Sequence, residues 1–143
     1  MFNTDHLHPL IVHFPIALIT VGFFADVVSL FFRSEKCLSK TGFYLMVLGS
    51  IAAVAAWSSG HLFTEAPTQG EILKVFINHK TGALVTMILI IAGTLFRIWL
   101  VIKKREESPL KWISFCFYLL AFMAVTFTGF MGGKMVYDFM LGQ

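Results

Sequence analysis

Five histidines, His6, His8, His13, His61 and His79, are the residues of this chain best suited to chemistry, and three of them fall in the opening stretch HLHPLIVHFPIA. A neutral imidazole offers a ring-nitrogen lone pair to a metal and titrates near physiological pH. Two imidazoles facing each other can grip the iron of a flat haem from both sides, and imidazole also suits copper and zinc. The chain carries no nucleophile–base pair, phosphate-binding loop or paired catalytic carboxylates. Cys37 and Cys116 belong to neither a CxxC nor a CxxCH motif, which speaks against a disulfide framework and against covalently attached haem.

The elements that must position these histidines are unusually apolar. Of the 143 residues, 57% are hydrophobic and 13% charged, whereas an ordinary soluble domain has roughly a quarter of its residues charged. Four apolar runs, 9–32, 42–63, 79–102 and 109–131, each exceed the ~20 residues that cross a ~30 Å hydrocarbon core as helix. The sequence therefore predicts an all-α integral membrane protein, a four-transmembrane-helix antiparallel bundle forming a single domain over 1–143. Met1 to His8 contains no Lys or Arg, so the first run reads as a span and not as a cleavable signal peptide. The net charge of +3 arises from loop residues and gives no case for nucleic acid.

Basic residues orient the bundle. The first loop carries Arg33, Lys36 and Lys40 and the third Lys103, Lys104, Arg105 and Lys111, against Lys74, Lys80 and Lys134 on the other side. Seven against three places the first and third loops in the cytoplasm and both termini outside, which for the inner membrane of a Gram-negative cell means the periplasm. The outer loop TEAPTQGEILKVFIN has a second half apolar enough to extend the third helix or to lie in the interface.

This orientation gathers all five histidines on the outer face. His13 lies about one turn inside the first span, His61 ends the second and His79 opens the third. The first and third helices of such a bundle are diagonal, which sets His13 against His79 as the expected pair of haem-iron ligands, with His61 as substitute and His6 and His8 at the mouth. Gly60, Gly129, Gly132 and Gly133 sit at the same end and would give a haem room; Lys134 and Tyr137 would meet its propionates. Each residue also has a structural reading. His13 can repair the Ile11 carbonyl that Pro15 leaves without a donor, and His61 can satisfy free carbonyls at a helix end. His79 follows Asn78, a good N-cap. Gly129 and Gly133 are spaced for close helix packing, and Lys134 can pair with Asp138.

Asp26 and Arg97 are the ionisable residues deep in the cytoplasmic half. Asp26 is seven residues short of Arg33 and Arg97 six short of Lys103, so their depths nearly match. An unpaired charge there costs at least a few kcal/mol, and a structural ion pair between the two is expected.

HLHPLIVHFPIA resembles the opening motif of the bacterial membrane family called domain of unknown function 2231. Asp26, His79, Arg97 and the closing stretch Gly132 to Tyr137 are similar to that family's later motifs, over nearly the whole chain. The resemblance implies a four-helix membrane protein and leaves the activity open.

Three functions follow from these residues. The first is a small b-type cytochrome or redox subunit with one haem b near the periplasmic face, trading electrons with quinol, a periplasmic carrier or a larger respiratory complex. Ligands at one end only argue against a two-haem route across the bilayer. The second is a non-enzymatic accessory subunit of a larger complex with structural histidines. The third is a periplasm-facing copper or zinc site built from His6, His8 and His13. All three describe an electron-transfer, accessory or metal-binding subunit in place of a stand-alone enzyme.

Overall fold

With no water in a bilayer core to satisfy backbone groups, a long apolar run is stable there as helix, which pairs every N–H within its own segment. The computed structural model of the chain describes residues 7–32, 34–64, 66–68 and 70–140. The helices are α1 (Leu7–Ile11), α2 (His13–Phe31), α3 (Lys36–Phe63), α4 (Glu71–Ile102) and α5 (Lys111–Lys134), followed by a π-helical turn, Met135–Met140. Four stretches, His8–Phe31, Lys36–Phe63, Glu71–Ile102 and Lys111–Asp138, are each long and apolar enough to cross a membrane.

Val12 separates α1 from α2, yet its φ and ψ remain helical and its N–H donates to the His8 carbonyl at 3.1 Å. The first span therefore runs through its two prolines in register. The third span, α4, starts at Glu71, well before residue 79, because Glu71–Asn78 continues the helix beyond the strictly apolar window. Gly70 precedes it with φ +88°, a backbone conformation that L side chains rarely adopt.

Helix α2 packs chiefly on α3 and α4 chiefly on α5, with lesser contacts between α3 and α4 and between α2 and α5. That leaves α2 and α4 on one diagonal. The large, fully buried side chains that meet in the middle are Ile19, Met46, Ile90 and Tyr118, one from each long helix, and α4 buries Leu100 as well. Phe23, Ala53, Ala121 and Val125 complete this core. Glycines let the backbones approach, as small residues do in membrane bundles. A Cβ at Gly49 would stand 3.0 Å from Ile19, and one at Gly93 would stand 2.7 Å from the Met46 methyl.

Most buried hydroxyls close their own bonds, and among the described residues Ser114 is the one left without a partner. Thr86 donates to the Gly82 carbonyl at 2.8 Å, Thr128 to Ala124 at 2.8 Å and Ser50 to Val47 at 2.7 Å, while Thr94 crosses to the Met46 carbonyl at 3.3 Å. Polar chemistry is left to the two ends of the bundle.

Candidate functional site: a histidine pair on the bundle diagonal

One end is held by charge. Arg97 of α4 grips the Asp26 carboxylate of α2 with both terminal nitrogens, Nη2 reaching Oδ1 at 2.9 Å. The same Nη2 donates to the Ser39 carbonyl at 3.0 Å and lies 3.3 Å from its hydroxyl. Gly42 faces the Asp26 carboxylate so closely that a Cβ there would collide with it. The Tyr118 hydroxyl donates to the Gly42 carbonyl at 3.4 Å. Both partners are mostly buried, with side chains 14% and 8% exposed, so each charge depends on the other.

The other end is held by imidazoles. His8 of α1 and His79 of α4 meet with ring centroids 6.4 Å apart and planes at 84°. His79 Nδ1 lies 2.9 Å from the Thr128 carbonyl of α5, which only accepts, so the ring proton is on Nδ1. His8 Nδ1 lies 2.9 Å from Ser59 Oγ of α3. Ser59 spends its one hydroxyl proton on the Ala56 carbonyl at 2.9 Å, so His8 donates from Nδ1 as well. Among the described residues neither Nε2 has a hydrogen-bond partner. A histidine that ligates a metal through one ring nitrogen usually donates the other N–H to a backbone or side-chain acceptor.

Two of the glycines stand directly beside the rings. Gly60 and Gly132 make room for the rings themselves: a Cβ at Gly60 would lie 2.7 Å from His8 Cε1, and one at Gly132 would lie 3.2 Å from His79 Cε1. A Cβ at Gly129 would lie 3.4 Å from Ile16 Cδ1 of α2, whereas one at Gly133 would meet nothing within 4 Å among the described residues.

His13 stands apart from this pair. Its ring is exposed and donates to the Pro9 carbonyl at 2.6 Å, and the ring that meets His79 is that of His8. The carbonyl that His13 satisfies is thus Pro9's and not that of Ile11. His61 is exposed and stacks on Trp57 at 5.6 Å and 4°. Lys134 and Tyr137 are exposed. Among the described residues the ion pairs are Arg97–Asp26 and Lys111–Glu107, so Lys134 is not paired with Asp138. His6 lies outside the described residues.

Helical phase is the signal that finds His8 in the sequence. His8 precedes Asp26 by 18 residues, five turns at 3.6 residues per turn, and so shares its face. His13 precedes Asp26 by 13 residues and points elsewhere.

No curated protein and no solved structure matches the chain. The family model described as "Predicted membrane protein (DUF2231)" matches residues 4–143. A multi-pass membrane protein with four apolar helices, this chain belongs to that family.

Proposed function

We propose that the chain is a small b-type cytochrome or redox subunit of the bacterial inner membrane, an antiparallel bundle with both termini periplasmic. It holds one haem b between His8 and His79 and passes electrons between quinol and a periplasmic carrier or a larger respiratory complex. The observation that carries this reading is the His8–His79 pair. A metal bonded to two imidazole nitrogens at about 2.0–2.1 Å each would hold the ring centroids about 6 Å apart, and the centroids are 6.4 Å apart.

Two imidazoles are enough to hold a haem, because the macrocycle supplies the iron's other ligands. When bound, the haem supplies one-electron exchange. Ser59 and Thr128 fix each ring's tautomer, and Gly60 of α3 and Gly132 of α5 leave room for the Cε1 edge of each ring. Lys134 and Tyr137, exposed just beyond Gly132, are the polar groups available to propionates. Ile19, Met46 and Ile90 fill the middle and separate this end from the Asp26–Arg97 end, in keeping with electron exchange on one side of the bilayer.

A second reading has its own support. His8 ties α1 to α3 and His79 ties α4 to α5, and their edge-to-face contact joins the two pairs. In an accessory subunit those contacts would be purely structural. Purification from haem-replete cells separates the two: one haem per chain with a reduced-minus-oxidised b-type spectrum supports the cytochrome, and a colourless protein supports the accessory subunit.

A further inference from the structure

We propose that the Asp26–Arg97 pair is a rotational lock that aims His79 at His8 from the opposite end of the bundle; the inference rests on reading those two histidines as the site. Eighteen residues separate His8 from Asp26, and eighteen separate His79 from Arg97. Eighteen is five turns at 3.6 residues per turn, so each histidine lies on the same face of its helix as its charged residue, about 27 Å along the axis. Turning α4 until Arg97 faces Asp26 therefore turns His79 toward His8.

The geometry needed for this transmission is present. Helix α4 runs unbroken from Glu71 to Ile102 without proline. The first span keeps its register through Val12. Its diagonal partner offers little else to set rotation, because α2 and α4 pack mainly on α3 and α5, and between helices in lipid there is no hydrophobic driving force. A two-pronged Arg–carboxylate contact is directional, and the Ser39 carbonyl and the Gly42 notch fix both of its members. A helix with side chains is roughly 10–12 Å across, so a rotation error of roughly 20° moves a side chain by about 2 Å. That displacement would break the 2.9 Å bond from His79 to Thr128.

The test reads proximity and needs no haem. In a full-length background with Cys37→Ser and Cys116→Ala, His8→Cys and His79→Cys are joined by a short bis-methanethiosulfonate reagent in lipid nanodiscs. Adding Asp26→Asn with Arg97→Gln, which removes both charges together, should slow crosslinking about tenfold, equivalent to ~1.4 kcal/mol of lost orientation. Tyr118→Phe, which alters the same end and keeps the pair, should leave the rate unchanged. If the double amide variant aggregates, Arg97→Lys carries the test, since it keeps the charge and loses the fork; slower crosslinking at unchanged helix content supports the lock. Parental rates in the Arg97 variants, an equal loss in Tyr118→Phe, or no crosslink in the parent would overturn it. A colourless wild-type protein with intact coupling would sink the cytochrome reading alone.

Discussion

Alanine at position 60 would place its Cβ 2.7 Å from His8 Cε1 and 3.3 Å from both ring nitrogens. Ordinary contact begins near 3.4 Å, so His8 must shift, and its 2.9 Å bond to Ser59 goes with it. Overpacking costs ~1–3 kcal/mol and the lost hydrogen bond ~0.5–1.5 kcal/mol. Replacing a helical glycine returns ~0.5–1 kcal/mol. Gly60→Ala should therefore destabilise the fold by ~0.5–4 kcal/mol. At Gly132 the new Cβ meets His79 at 3.2 and 3.4 Å, which a few tenths of an ångström of movement relieves, and the net change should lie near zero. At Gly133 nothing stands within 4 Å, so alanine should be neutral or stabilise by up to ~1 kcal/mol. Unfolding by sodium dodecyl sulfate in mixed micelles, followed by tryptophan fluorescence and circular dichroism, would rank the three variants. Equal stability for Gly60→Ala and Gly133→Ala would refute the claim that Gly60 seats the His8 ring.

Two further outcomes are expected. Asp26→Ala leaves Arg97 buried without its carboxylate and should cost ~3–5 kcal/mol; adding Arg97→Ala should recover part of this, and simple additivity in the same unfolding assay would contradict the pairing. A C-terminal reporter should be active only outside the cytoplasm, as the seven-to-three distribution of basic residues predicts; a cytoplasmic signal would reverse the orientation of the site.

The membrane class of the chain is legible because it rests on the length and polarity of whole segments, which tertiary contacts hardly alter. The shared depth of Asp26 and Arg97 is legible for a related reason: counting residues to the flanking basic loops measures position along an axis. Direction around the axis is harder. His13 draws attention because apolar neighbours surround it in the sequence, yet neighbours along a helix point to different faces, and its ring is exposed. His8 looks like a solvated residue ahead of the span, but the helix already includes it and its phase matches that of Asp26. Gly60 and Gly132 reveal a need for space without saying which group fills it. The start of α4 at Glu71 reflects helix continuing past the apolar window. No spacing rule marks Ser59 and Thr128, whose oxygens accept from the two rings; those contacts come from packing between helices.

The central claim is that His8 and His79 ligate a haem iron, and the visible spectrum of single variants from haem-replete cells tests it most directly. Wild type should show a low-spin b-type spectrum. His8→Ala and His79→Ala should each lose it, while His13→Ala and His61→Ala, whose rings lie exposed away from the pair, should retain it. A colourless wild-type protein, or a wild-type spectrum in both His8→Ala and His79→Ala, would contradict the account.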